Sequence, residues 1–94
     1  ESRPKAGEVL VSPPDRILLR FNSRIELALS TLSVTSSRGR TLLLSRSSEN
    51  GAPDRFVVPL ENLVPDVYLV RWKVLSADGH LTEGAFQFTV ARPR

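Results

Sequence analysis

Alternation of apolar and polar residues is the dominant pattern along the chain. It is clearest from Tyr68 to Val74, where every second side chain is apolar and Arg71 and Lys73 lie between them. Successive side chains of a β-strand point to opposite faces of the sheet, so this spacing predicts a strand with one buried face. No long segment repeats at helical spacing, and the pattern as a whole predicts a nearly all-β protein.

Turn-forming residues divide the other alternating segments into short strands. Ser37-Arg38-Gly39 predicts a hairpin turn, while Pro13-Pro14, Ser47 to Pro53 and Val64-Pro65-Asp66 predict loops. The predicted strands are Arg16 to Phe21, Leu32 to Ser37, Arg40 to Ser45, Arg55 to Val58, Tyr68 to Val74 and Ala85 to Val90. Together with one ambiguous segment they make about seven strands, which indicates an all-β sandwich of the immunoglobulin-like kind.

Glu26 to Leu32 is the segment whose secondary structure the pattern leaves ambiguous. Its apolar residues fit either a bulged strand or a single helical turn, and we predict a strand. The two clearest strands, Tyr68 to Val74 and Ala85 to Val90, are predicted to pair with each other. Ser76 to Glu83 is then the connection between them.

Length and composition indicate one small globular domain. The chain has 94 residues, of which 40% are hydrophobic and 24% charged, so residues 1–94 are predicted to form a single domain around one core. There is no Cys, which excludes disulfides and thiolate chemistry. No apolar run is long enough to span a bilayer, so no membrane insertion is predicted.

The net charge of +3 gives little support for a nucleic-acid partner. The arginines are scattered along the chain, and the aromatic residues fall mostly at predicted core positions. A nucleic-acid-binding protein would more often carry a basic patch with exposed aromatic side chains between the charges. We therefore predict a solvated cationic surface and no nucleic-acid partner.

Asp78-Gly79-His80 carries the candidate chemistry. The only histidine follows a carboxylate by two residues, and a turn or extended backbone directs side chains at that spacing to the same side. An imidazole and a carboxylate can hold one metal ion, although most metal sites need three or four ligands. Asp-Gly between two strands is also a hairpin turn signal, so His80 as a bystander beside a turn stays open on spacing alone.

Enzymatic chemistry is not predicted. The chain has one histidine, no Cys and no Ser in a nucleophile-elbow setting, and phosphate-binding glycine loops are missing. Trp72 is predicted to be an ordinary core tryptophan, which is compatible with the alternative that it lies beneath a metal as a hydrophobic neighbour.

The segment Tyr68 to His80, followed by Gly84 to Val90, resembles the signature of the CopC family of periplasmic copper-binding proteins. The likeness extends along most of the chain. Ser2 to Gly7 is similar to the family's early Ser-x-Pro-x-x-Gly turn, and Pro14 to Asn22 to its first long strand. Leu60 to Tyr68 is similar to the approach to the signature strand, with Asp66 where the family usually has Gly.

The resemblance implies an immunoglobulin-like Greek-key β-sandwich or barrel of about seven strands, together with a Cu(II) site. In the family that site combines the Asp and His of the Asp-x-His motif with an N-terminal histidine, so Asp78 and His80 are the expected metal ligands of this chain. The implied function is that of a periplasmic Cu(II)-binding protein, which sequesters copper or delivers it to a membrane copper transporter. No enzymatic activity is implied.

The chain departs from the family pattern at three points. Glu1 stands beside the Ser-x-Pro turn with no histidine before it, so we expect the native protein to begin upstream and the first few residues to be missing. Ser23 stands where some members carry a Glu near copper. The chain has no Met, so a thioether site for Cu(I) is not expected, and one Cu(II) site is the most we predict.

Two alternative functions stay open. One is an immunoglobulin-like structural or interaction module that kept the fold without the metal. The other is the extracytoplasmic domain of a membrane copper importer.

Overall fold

The computed structural model describes residues 2–26, 29–43 and 54–92, and these form a β-sandwich. The strands are β1 (Ser2–Arg3), β2 (Val9–Leu10), β3 (Arg16–Arg20), β4 (Thr31–Ser36), β5 (Thr41–Leu43), β6 (Arg55–Pro59), β7 (Asp66–Leu75) and β8 (Leu81–Val90). The described residues contain no α-helix, and the predicted all-β sandwich is confirmed. The described ranges hold eight strands where about seven were predicted, and β1 and β2 were not predicted because two residues are too few to show alternation.

The strands are arranged in two sheets. One has three strands in the order β1-β3-β6, and the other has five in the order β2-β8-β7-β4-β5. Neighbouring strands are antiparallel except for β2 and β8, which are parallel. The predicted pairing of the two clearest strands is confirmed, with Asp66 opposite Val90 at one end and Leu75 opposite Leu81 at the other.

The core lies between the inner faces of the two sheets. Alternation places apolar side chains from β3, β4, β6, β7 and β8 there, since every second residue of a strand points inward. The most deeply buried are Ile17, Val34, Phe56, Val58, Tyr68, Val70, Val74 and Phe88. Each large aliphatic or aromatic side chain buried in this way contributes roughly 1.5–3 kcal/mol to folding.

The strand predicted from Glu26 to Leu32 is wrong for Glu26, Leu29 and Ser30, whereas Thr31 and Leu32 do lie in a strand. Leu29 N and Ser30 Oγ both donate to the carbonyl of Glu26, at 3.1 and 2.8 Å, and β4 begins only at Thr31. These local hydrogen bonds close a single turn, which was the alternative interpretation of the segment. Ser30 is fully buried, and its Oγ accepts a hydrogen bond from Leu75 N at 3.2 Å.

Two predictions fall partly or wholly on undescribed residues. The strand predicted from Arg40 to Ser45 corresponds to β5, and its last two residues lie outside the described ranges. The predicted loop from Ser47 to Pro53 lies outside them altogether.

Candidate metal centre

The turn between β7 and β8 positions the candidate ligands. Ser76 N donates to His80 O at 2.9 Å, and Gly79 N donates to Ser76 O at 3.0 Å, so the connection is a tight turn from Ser76 to His80. It is shorter than the predicted Ser76 to Glu83 connection, because β8 begins at Leu81. Gly79 has a φ of 91°, a conformation that a side chain would strain.

A neighbouring loop braces the turn. Ala77 N donates to Arg24 O and Glu26 N donates to Leu75 O, both at 2.8 Å. Ile25 forms an isolated antiparallel bridge with Ser76 between these two bonds. The turn is therefore held by β7, by β8 and by the segment that follows β3, and its backbone has little freedom to shift.

Asp78 and His80 are brought together as predicted. The distance from His80 Nδ1 to Asp78 Oδ2 is 3.0 Å, and the side chains of His80 and Asp78 are 84% and 64% exposed. Both groups therefore lie on the same side of the turn and open to solvent. An ion or a partner protein can reach them without any rearrangement of the core.

Hydrogen bonds on the other carboxylate oxygen fix its orientation. Ser76 Oγ donates to Asp78 Oδ1, and His80 N donates to the same oxygen at 3.2 Å. The hydrogen bond from Ser76, followed by that from the His80 side chain, lowers the pKa of Asp78 from 3.8 to about 2. The carboxylate is thus anionic at neutral pH, which is the charge state that metal binding needs.

The spacing of the two side chains suits two adjacent ligands of one ion. Imidazole nitrogen and carboxylate oxygen bind a metal such as Zn²⁺ at about 2.0–2.2 Å. Two such donors at right angles on one ion would be about 2.9 Å apart, which is close to the 3.0 Å between His80 Nδ1 and Asp78 Oδ2. His80 Nε2 offers a second mode of binding, in which Asp78 orients the ring through Nδ1.

A third ligand is not found among the residues that the structure describes. They contain no group of three or more His, Cys, Asp or Glu side chains that could hold a metal ion. Ser23, at the position where a carboxylate was considered, is exposed on the loop that braces the turn.

Trp72 packs in the sandwich. Its ring makes an edge contact with Phe21, with centroids 5.4 Å apart, and it covers Gly84 on the adjacent strand. It is half-buried and belongs to the rim of the core. Trp72 therefore packs against the core at its rim, and a role beneath a metal stays a prediction.

Ser76 is the residue of this centre that sequence reasoning missed. Its signal was present, because Ser76 precedes Asp78 by the same two residues that separate Asp78 from His80. Serine is common in the chain, however, and the spacing acquires meaning only once the turn is known.

Comparison with known proteins gives a consistent picture. The chain matches the CopC domain family over residues 1–91. It is 30% identical to the protein YobA of Escherichia coli K12, over 93% of this chain and 72% of YobA. It is 26% identical to the copper transport protein CutJ of Bacillus subtilis, over 98% of this chain but only 17% of CutJ.

Solved structures agree with this result. The fold superimposes on CopC from Methylosinus trichosporium OB3b with a TM-score of 0.90 and 30% identity, covering 97% of this chain and 89% of that one. It superimposes on the copper resistance protein PcoC of Escherichia coli with a TM-score of 0.77 and 26% identity, covering 95% and 94%. Among the described residues, no helix is long and apolar enough to cross a membrane.

Proposed function

Because the chain belongs to the CopC family, we propose that it is a periplasmic protein that binds Cu(II) and sequesters it or delivers it to a membrane partner. Asp78 and His80 are the proposed ligands. The similarity to a copper resistance protein and to a copper transport protein supports copper as the ion.

The pairing of Asp78 with His80 is the observation that carries this proposal. The two donor atoms are 3.0 Å apart, they lie at the tip of a braced turn, and Ser76 holds the carboxylate in place. A pair arranged in this way before the ion arrives loses little conformational entropy on binding. An accidental pair on a mobile loop would have neither the bracing nor the additional hydrogen bonds.

The donor set favours Cu(II) over other first-row divalent ions. Imidazole nitrogen and carboxylate oxygen suit the tetragonal geometry of Cu(II), which also heads the affinity order of these metals. The chain has no Cys and no Met, so it offers neither the thiolate nor the thioether donors that Cu(I) prefers. We therefore propose a single Cu(II) site without a Cu(I) site.

Release of copper would proceed by ligand exchange. His80 and Asp78 leave the remaining coordination positions of the ion unfilled by described residues, and both side chains are exposed. A partner protein can add its own ligands to the ion before Asp78 and His80 dissociate from it. No electron transfer is needed for such a transfer.

We propose that a further ligand comes from residues upstream of Glu1. β1 runs antiparallel to β3 with Ser2 opposite Leu19. If this pairing continued, the residues before Ser2 would lie opposite Phe21 and then opposite Arg24. Arg24 accepts the hydrogen bond from Ala77 in the turn. A histidine about five residues before Ser2 would therefore stand near Asp78 and His80 if the pairing continued.

Copper titration of the tag-free chain tests the proposed ligands. Calorimetry with Cu(II) should give one site, and Asp78→Asn and His80→Ala should each weaken it by roughly tenfold or more. Asp15→Asn is the matched control, because it removes another exposed carboxylate from a distant loop and should leave the affinity unchanged. Equal binding by all four proteins would contradict the proposal and would favour a metal-free structural module.

One observation favours a second form of this function. The match to CutJ covers nearly all of this chain but a small part of that protein, so a domain of this kind forms part of a much longer copper transport protein there. The present domain would then be the extracytoplasmic part of an importer. The gene sequence on both sides of this segment tests it, because an importer requires membrane spans in the same reading frame.

A further inference from the structure

Strand β8 has an open edge next to the turn from Ser76 to His80. β8 pairs with β7 over all ten of its residues, but β2 covers its other edge only at its last two residues. Gly7 N donates to Gln87 O and extends that cover a little further. In the part of the chain that the structure describes, no strand lies beside residues 81–86 on this edge.

The backbone groups of alternate residues face the open edge. The register of β7 with β8 is unbroken, and Gln87 O and Thr89 N both bond to the segment that forms β2. Backbone N–H and C=O groups alternate in direction along a strand, so those of Leu81, Glu83 and Ala85 face the same side as these two. All three residues are exposed, and no hydrogen bond among the described residues reaches their six edge groups.

This edge lacks the features that keep edge strands apart. Natural sheets protect their edges with proline, lysine or bulges. Residues 81–86 contain no Pro and no Lys, and their pairing with β7 has no bulge. The one charged residue is Glu83, whose carboxylate lies 3.6 Å from Lys73 Nζ on β7. The half-buried rings of Phe86 and Trp72 lie at the rim of the core, so a strand added here would also bury apolar surface.

We propose that the open edge of β8 pairs with the same edge of a second copy of this chain. An antiparallel pair centred on Glu83 sets Leu81 of each copy opposite Ala85 of the other. Residues whose backbone groups face the edge then stand opposite each other, and all six free groups of each copy form hydrogen bonds across the pair. The two five-stranded sheets become one continuous sheet with two-fold symmetry.

The surroundings of the edge favour this register over its neighbours. A shift of two residues in one direction would set Leu81 against Gln87 of the copy, where Gly7 is already bonded. A shift of two residues in the other direction would set Ala85 against Gly79, inside the tight turn. A shift of one residue would set free groups opposite groups that are bonded to β7. Of these registers, the one centred on Glu83 alone uses every free group.

Glu83 limits the strength of the pair. In this register the two Glu83 side chains stand directly opposite each other, and like charges in such positions destabilise a sheet. Lys73 in each copy offsets part of this repulsion. We therefore expect a weak dimer of the wild type and a stronger one when the charge of Glu83 is removed.

The pairing keeps the two candidate metal centres apart. The two His80 residues would be separated by six residues along the paired strands, or roughly 20 Å. The segment proposed upstream of Glu1 would follow β3 in the other sheet, so it does not compete for the edge of β8. The proposal thus goes beyond copper binding and does not depend on it.

Sedimentation equilibrium of the metal-free chain tests the proposal separately from copper binding. The average mass should rise from that of a monomer towards that of a dimer between about 10 μM and 1 mM. Amide hydrogen exchange measured by nuclear magnetic resonance locates the contact. Protection of the Leu81, Glu83 and Ala85 amides should rise with protein concentration. The amides of Thr82 and Gly84 face β7 and should be protected at every concentration.

Two substitutions and one control test the register. Glu83→Gln removes the opposed carboxylates and should tighten the dimer about two- to fivefold, although it raises the net positive charge of each chain. Glu61→Gln changes the charge equally in the loop before β7 and should not tighten it. Ala85→Pro removes an edge N–H at a position where an edge strand tolerates proline, and it should abolish the dimer.

Three results would overturn the proposal. The first is a chain that stays monomeric at about 1 mM. The second is a dimer in which the amides of Leu81, Glu83 and Ala85 gain no protection. The third is equal tightening by Glu83→Gln and Glu61→Gln, which would indicate a general effect of charge. Circular dichroism checks the fold of each variant, and the exchange measurement on the wild type decides the question if Ala85→Pro does not fold.

Discussion

Ser76 holds the Asp78 carboxylate in the orientation that leaves its second oxygen facing His80. Its hydroxyl donates to Asp78 Oδ1, while His80 Nδ1 lies 3.0 Å from Oδ2. Partners of this kind orient metal ligands, and their loss typically lowers metal affinity by one to two orders of magnitude. We expect Ser76→Ala to weaken Cu(II) binding roughly tenfold, measured by competition with a chelator of known affinity.

Two comparisons separate this positioning role from a general loss of stability. Ser76→Thr keeps the hydroxyl and should restore most of the affinity. Ser33→Ala removes a hydroxyl from β4 and should leave copper affinity unchanged. If Ser76→Ala bound copper like the wild type while its unfolding midpoint fell, Ser76 would stabilise the turn without positioning the ligand.

Asp78 also makes the stability of the metal-free domain depend on pH. Its pKa is about 2 in the fold and 3.8 in the unfolded chain, so the ionised group stabilises the fold above pH 3.8. That contribution is lost as the pH falls from 3.8 towards about 2. Asp78→Asn should therefore be less stable than the wild type at neutral pH, and the difference should shrink over this interval. Urea unfolding at a series of pH values measures it, and a difference that stayed constant with pH would show that ionisation of Asp78 is not its cause.

At the level of secondary-structure elements, the packing of β7 against β8 depends on the small size of Gly84, which leaves room for the ring of Trp72. The two residues are paired across the strands, and a Cβ atom at Gly84 would overlap the indole ring of Trp72. We expect Gly84→Ala to destabilise the domain by about 1–3 kcal/mol, the usual cost of overpacking. The denaturant midpoint measures this effect.

A double-mutant cycle shows whether the indole ring is the cause. Trp72→Leu removes the ring, so Gly84→Ala should cost much less in that background. An equal cost in both backgrounds would mean that the strand itself requires glycine at this position.

The predictability of each element followed its length and its hydrogen-bond partners. β7 and β8 have ten residues each, and alternation over parts of them was enough to predict their pairing. The predicted connection from Ser76 to Glu83 was too long, because β8 extends back to Leu81. β1 and β2 could not be predicted, because two residues show no period and their partners are distant in sequence. The strand predicted across Glu26 failed because Ser30 bonds back to that residue and closes a turn.

At the level of the whole molecule, features that depend on local spacing could be predicted from the sequence, and features that depend on strand register could not. Asp78 and His80 could be predicted because their proximity depends on local spacing and because the surrounding motif resembles a known family. The alignment of Arg20 with Arg55 could not, since the register of β3 and β6 brings these two residues together and the one-dimensional pattern contains no register.

The measurement that tests copper binding by His80 most directly is pulsed electron paramagnetic resonance of the tag-free chain loaded with Cu(II). The chain has a single histidine, so any modulation from the remote nitrogen of a copper-bound imidazole identifies His80. We predict this modulation in the wild type and in Asp15→Asn, and its loss in His80→Ala. A copper spectrum without imidazole modulation in the wild type, or one unchanged in His80→Ala, would contradict the proposed site.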